Sequence, residues 1–270
     1  MSGLHVDVHG DGRLPYLLLV HGFLSSRAQW RPNIAALSAV CTPVTVDLLG
    51  HGRAASPADP DAYTVAAYVD RFEALRRDLG AERWFICGQS FGAGLTLRYA
   101  IEHPRRIIAQ VFTNSISGLS QVSAGNAEGR AARARAIAKG GRAALEAMPF
   151  YPKPSKRLPP EIWEDLVADA DLLSPIGVAG AFQATIPQLC QADSLGQITV
   201  PTLLVNGTRE AAFQPLRDLA AREIAGLEVV DLDGGHSVNL DNAAGFNAAV
   251  TDFIGRHSAA GGDRRLYGAA

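Results

Sequence analysis

Residues 84–92 read Trp84-Phe85-Ile86-Cys87-Gly88-Gln89-Ser90-Phe91-Gly92, followed by Ala93-Gly94-Leu95-Thr96-Leu97-Arg98-Tyr99-Ala100-Ile101. Four apolar residues ended by a glycine predict a short strand, and the run from Ala93 to Ile101 predicts a helix. A serine between two glycines at that junction predicts a turn too tight for side chains at its ends. Such a turn exposes the serine hydroxyl and aims backbone N–H groups at any oxyanion that develops beside it. Ser90 is therefore the candidate nucleophile, and the strand before it and helix after it give the short motif its weight.

Outward from this turn the same alternation continues. Tyr16–Val20 reads as a strand buried on both faces. Further apolar runs at 43–46, 107–112, 202–205 and 227–230 predict more strands. Between them Val65, Tyr68, Val69, Phe72, Leu75 and Leu79 recur at helical spacing, as do Phe246, Ala249, Val250, Phe253 and Ile254 near the end. Strands alternating with helices predict an α/β chain built on an open, doubly wound, mostly parallel sheet.

Residues 118–197 break the pattern. They are rich in alanine and carry Pro149, Pro152, Pro154, Pro159 and Pro160 in one loop, with helical spacing in Ile162, Trp163, Leu166 and Val167. An inserted all-helical cap at 118–197 is expected, on a core made of 1–117 and 198–257. The tail 258–270, with Gly261, Gly262 and Gly268, has no burial pattern and is expected to be disordered.

A serine hydroxyl at neutral pH needs a base, and the base needs an orienting carboxylate. His236, in Asp233-Gly234-Gly235-His236-Ser237 directly after the last predicted strand, is the candidate base. Its glycines suit a loop that presents a ring. Glu210 follows the strand and turn Thr202-Leu203-Leu204-Val205-Asn206-Gly207-Thr208-Arg209 and is the candidate acid. Asp193 precedes that strand and Asp233 lies only three residues from His236, so both fit less well. His21-Gly22-Phe23-Leu24 follows the strand Tyr16–Val20. Its Phe23 amide is the candidate partner of the Phe91 amide in an oxyanion hole, and His21 is expected to fix the loop rather than carry a proton.

These residues resemble the α/β-hydrolase superfamily over essentially Leu17 to Ile254, in its capped serine esterase or lactonase-like branch. His21-Gly22-Phe23 is similar to the family's oxyanion loop, and Gly88 to Gly92 to its nucleophile elbow. Asp47-Leu48-Leu49-Gly50-His51-Gly52-Arg53 resembles a structural turn of the family, with Ala54 where serine is usual. Glu210 stands where the family usually has aspartate, and His236 matches its base. The resemblance implies carboxylic-ester, lactone or thioester hydrolysis through an acyl-Ser90 intermediate. It argues against the dehalogenase and epoxide hydrolase branches, which use an Asp nucleophile. It also argues against members that form a menaquinone precursor, which carry an Arg where this chain has Gly94. Carbon–carbon hydrolysis of a diketone uses the same geometry and stays open, as does a ligand-binding protein with vestigial activity.

Composition narrows the partners. The 270 residues are 47% hydrophobic and 19% charged with net charge -2, which favours neither nucleic acid nor an acidic membrane. Arg130, Arg133, Arg135, Lys139 and Arg142 alternate with alanines as the solvated face of a helix would. Cys41, Cys87 and Cys190 fit no metal-ligand spacing, and no cofactor or metal is expected. No signal-peptide pattern opens the chain and no run near the N-terminus spans a bilayer, so a cytoplasmic location is expected. The expected partner is a small to medium, partly apolar substrate. Leu24, Phe150, Trp163 and Phe182 are candidates to line its pocket; nothing in the sequence indicates the oligomeric state.

Overall fold

The computed structural model describes residues 3–121, 126–154 and 158–260. Seven strands form one sheet: β1 (His5–Val8), β2 (Tyr16–Val20), β3 (Thr42–Asp47), β4 (Trp84–Gly88), β5 (Ile107–Thr113), β6 (Thr202–Gly207) and β7 (Glu228–Leu232). They lie in the order β1-β3-β2-β4-β5-β6-β7, and only the edge strand β1 runs antiparallel to its neighbour. β2 to β3 steps one way across the sheet, and the chain then returns to place β4 on the other side of β2. That reversal opens a crevice at the carboxyl ends of β2 and β4, where open α/β sheets bind ligands.

The central strands are apolar on both faces because helices cover both. Leu18, Val20, Ile86, Phe112 and Leu204 pack on one side with Tyr68, Phe72 and Tyr99 from α2 (Val65–Asp78) and α3 (Phe91–Glu102). Leu17, Leu19, Phe85, Cys87 and Val205 face the other side. There they meet Leu37 of α1 (Arg31–Leu37) and Phe246, Val250 and Phe253 of α10 (Ala243–Ala260). Period-two alternation along β2 thus feeds two cores rather than one core and solvent.

Between β5 and β6 every described element is helical: α4 (Ile116–Leu119), α5 (Ala127–Glu146), α6 (Pro160–Ala170), α7 (Pro175–Gly180) and short turns after them. α5 is broken at Gly141, whose φ of 58° and ψ of -139° interrupt the helix. The helices have their own cluster, with Ala134, Ile137, Leu145, Met148, Leu173 and Val178. They rest on the loops that follow β2 and β3. Asp169 of α6 accepts from Ser26 Oγ at 2.7 Å and pairs with Arg27 at 3.4 Å, and Ser174 N–H donates to Gly50 O at 2.9 Å.

After β6, α8 (Gln214–Glu223), β7 and α9 (Val238–Asp241) lead to α10. Helix α10 extends to Ala260, because its stripe from Phe246 to Ile254 is anchored on the sheet. The tail expected from residue 258 therefore starts as helix, and 261–270 lie outside the described residues.

Candidate active site

The site is assembled at the ends of β2, β4, β5, β6 and β7. Ser90 stands between β4 and α3 with φ 52° and ψ -111°, a region that a residue with a Cβ occupies only when its surroundings force it. Sterics show why the flanking positions are glycine. A Cβ on Gly92 would lie 2.3 Å from the Val20 carbonyl oxygen, and one on Gly88 would lie 2.5 Å from the Gly92 oxygen. Both obstacles are backbone and cannot swing away. Leu24 and Ser90 are the only described non-glycine residues with positive φ, and both lie beside the crevice.

Ser90 Oγ lies 2.8 Å from His236 Nε2, and His236 Nδ1 lies 2.8 Å from Glu210 Oε1. The carboxylate can only accept, so Nδ1 carries the proton and Nε2 is free to receive one from Ser90. Burial works to raise the Glu210 pKa. The hydrogen bond and charge of His236 and the Asn114 amide outweigh it and hold the carboxyl below its ordinary range. Asn114 Nδ2 donates to Glu210 Oε2 at 2.8 Å and to Gly207 O at 3.0 Å, while its Oδ1 accepts from Gly207 N–H at 2.8 Å. Ser115 Oγ–H donates to Ser90 O at 2.6 Å.

The Phe23 and Phe91 backbone amides make no hydrogen bond to another described residue. In the loop after β2, Gly22 N–H donates to Gln29 Oε1 and Leu24 N–H to His51 Nε2, which leaves the Phe23 amide between them uncommitted. At the elbow, Gln89 N–H is taken by Val20 O and Gly92 N–H by Gln89 O, and Ser90 gives α3 no side-chain cap. The Phe91 amide, first of the helix, is thus also open. Two such donors beside one hydroxyl can stabilise an oxyanion.

The turn after β3 braces this loop. Asp47 is fully buried and accepts from the Arg27 and Arg53 amides at 2.8 and 2.9 Å and from the Arg27 guanidinium at 3.0 Å. His21 Nδ1–H donates to Gly22 O and Nε2 accepts from Leu48 N–H. His51 donates from Nδ1 to Leu49 O, and burial and the neighbouring His21 push its pKa down to about 3. Both rings are neutral struts. Cys41 and Cys87 are buried, and burial pushes Cys41 up to about 12 and raises Cys87 as well, so neither is a reactive thiol.

The expected pocket residues fall in different places. Phe182 packs edge-on against Phe23 at 5.3 Å, and Phe23 in turn packs on Phe91 at 5.4 Å. Leu24, turned by its φ of 58°, points into the helical cluster with Ala134 and Ile137 and is 1% exposed. Phe150 is 76% exposed in the proline-rich connection after α5, so it lines no enclosed pocket. Trp163 is half-buried on α6, which packs against Arg27–Trp30 rather than beside Ser90. On the base side, a cavity of about 730 Å³ is lined by Arg209, Glu210, Gly235, His236 and Asp241. No group of three or more His, Cys, Asp or Glu side chains is gathered for a metal ion among the described residues. No described helix is long and apolar enough to cross a membrane.

Sequence reading missed Asn114, Ser115, Gln29 and Gln89. The signal for Asn114 and Ser115 was their position, polar residues directly after an apolar strand.

The family model for the α/β hydrolase fold matches residues 15–243. The chain belongs to the α/β-hydrolase family. It is 30% identical to the provisionally named carbamate hydrolase RutD of Variovorax paradoxus (strain S110), over 96% of this chain and 98% of that one. It is 24% identical to carboxylesterase YbfK of Bacillus subtilis (strain 168), over 93% and 83% of the two chains. Among solved structures, the enol-lactonase from Burkholderia xenovorans LB400 superposes with a TM-score of 0.78 at 26% identity, over 93% of this chain and 96% of that one. The protein is thus a hydrolase of the α/β fold.

Proposed function

We propose that this hydrolase cleaves a carboxylic ester, lactone or thioester through an acyl-Ser90 intermediate. The observation that carries the reading is the unbroken line Glu210–His236–Ser90, two contacts of 2.8 Å. His236 takes the Ser90 proton as Oγ attacks the carbonyl carbon. The Phe23 and Phe91 amides hold the oxyanion, and Glu210 offsets the charge on the imidazolium. Collapse of the tetrahedral intermediate breaks the bond to the leaving oxygen or sulfur, which takes the proton from His236 and departs as alcohol or thiol or, in a lactone, stays tethered to the acyl chain. Water, deprotonated by the same ring, then attacks the acyl carbon; the second intermediate expels Ser90 Oγ, which takes the proton back from His236, and the carboxylic acid leaves.

The helices of 118–197 act as the cap, and the Phe23 and Phe182 rings form an apolar wall for the substrate, with Phe91 packed behind Phe23. A carbamate is the second reading, supported by the full-length resemblance to RutD. The same attack applies to it, with a nitrogen in place of carbon on one side of the carbonyl. A panel of p-nitrophenyl acyl esters, a lactone and an N-alkyl carbamate separates the two. Turnover of esters or lactone at kcat/KM at least about tenfold above the carbamate supports the first reading. The reverse order supports the second, and turnover of a diketone alone would overturn both.

A further inference from the structure

Three parts of the site sit at the ends of different strands: the oxyanion loop after β2, the elbow after β4 and the base loop after β7. A single buried line of side-chain amides joins them. Gly22 N–H donates to Gln29 Oε1 at 3.1 Å, Gln29 Nε2 donates to Gln89 Oε1 at 3.3 Å, and Gln89 Nε2 donates to the His236 carbonyl at 3.1 Å. Both glutamines are 2% exposed. Only one orientation of the two amides satisfies all three bonds. Turning either would set oxygen against oxygen at one end and N–H against N–H at the other.

The fit is close as well as directional. A Cβ on Gly22 would lie 2.1 Å from Gln89 Oε1, so the glutamine oxygen occupies the space that glycine leaves. Gln89 immediately precedes Ser90, and its own N–H is fixed on Val20 O at 3.0 Å. From behind, Asn239 Nδ2 donates to the Gln29 carbonyl at 3.1 Å and to Asn33 Oδ1 at 3.3 Å, while Asn33 is held by Asn247. The line therefore has a rigid backing and two ends, one on the loop carrying the Phe23 amide and one on the residue that carries the base.

We propose that Gln29 and Gln89 form a positioning relay that locks the oxyanion loop and the His236 loop to the elbow in one geometry. The proposal rests on the roles given above to Phe23, Ser90 and His236. Neither glutamine touches the reacting atoms. Each acts by holding groups that do, and displacement of about 1 Å at such groups costs up to a hundredfold in rate.

The test uses the full chain with a p-nitrophenyl ester of short acyl chain. Gln29→Met and Gln89→Met keep the side-chain length and remove the amide. Each is expected to lower kcat on the order of ten- to a hundredfold with KM within about twofold. Because the relay fails as a unit, the double variant is expected to lose no more than the worse single variant. Multiplying losses, unchanged kcat, or kcat losses that only follow the loss of folded protein would each overturn the relay. Phe253→Leu, in the core under α10 and apart from the relay, serves as the structural comparison, with thermal stability expected to fall and kcat to hold.

Gln29→Glu covers the case in which the methionine variants do not fold. As a neutral acid the introduced carboxyl can still accept from Gly22 and donate to Gln89; as a carboxylate it cannot donate. Its kcat relative to wild type is expected to rise as pH falls, and a constant ratio across pH would overturn the relay. If Ser90→Ala kept full activity, the reading of the site itself would fail, whatever the glutamine variants do.

Discussion

Ser90→Ala is expected to reduce kcat by roughly 10⁴- to 10⁶-fold while leaving KM within a few-fold. The direction follows from the geometry: the hydroxyl that lies 2.8 Å from His236 Nε2 is the group proposed to become acylated. Its loss leaves the Phe23 and Phe91 amides intact, so binding and part of the electrostatic stabilisation survive. A residual rate above the uncatalysed one is therefore expected, as in serine hydrolases stripped of the nucleophile. The fold should be preserved or slightly relaxed, since alanine at φ 52° costs no more than serine there. A Ser90→Ala protein with the same circular dichroism and unchanged turnover would move the chemistry elsewhere.

The second large effect is expected at Glu210. Glu210→Gln keeps size and removes charge, and kcat should fall about 10²- to 10⁴-fold. Asn114 explains why an amide fails here. Its Nδ2 donates to one Glu210 oxygen at 2.8 Å, so an introduced amide must turn its own oxygen toward Asn114 and its NH₂ toward His236 Nδ1. Nδ1 would then have to accept, the ring proton would move to Nε2, and the base would point a proton at Ser90. In wild type the carboxyl is held below its ordinary range, so it stays ionised through neutral and mildly acid pH. The sign for stability follows from the same shift. A carboxyl depressed on folding stabilises above its unfolded pKa, and that contribution disappears as pH falls through the folded value. Glu210→Gln should therefore flatten part of the acid loss of stability while abolishing most activity. A variant with near-normal kcat would contradict the orienting role.

How much of this was legible in the residues depends on how local the cause is. Strands at Tyr16–Val20 and Trp84–Gly88 announce themselves because both faces are buried, so every residue is apolar. The elbow is legible because Gly88 and Gly92 answer to backbone atoms a few ångströms away. His236 and Glu210 stand at the ends of strands whose order the α/β pattern already constrains, and the structure brings both to Ser90. Asn114, Gln29 and Gln89 were not legible, since each gains its meaning from partners 60 to 147 residues away in sequence. Only the sheet order puts those partners in reach. The aromatic candidates of the helical segment fared unevenly for a similar reason. Phe150 and Trp163 were chosen by residue type, and type does not tell which way a side chain faces when the segment has a cluster of its own. Phe182 meets Phe23, whereas Leu24 turns away because its backbone is left-handed.

The central claim is that Ser90 is a nucleophile activated by His236 and Glu210. The most direct measurement is intact-protein and peptide mass spectrometry after exposure of the folded protein to a fluorophosphonate. One adduct per chain, on the peptide carrying Ser90, lost in Ser90→Ala and slowed strongly in Glu210→Gln, is the expected result. A folded protein that turns over substrate yet takes no label at Ser90 would contradict the account.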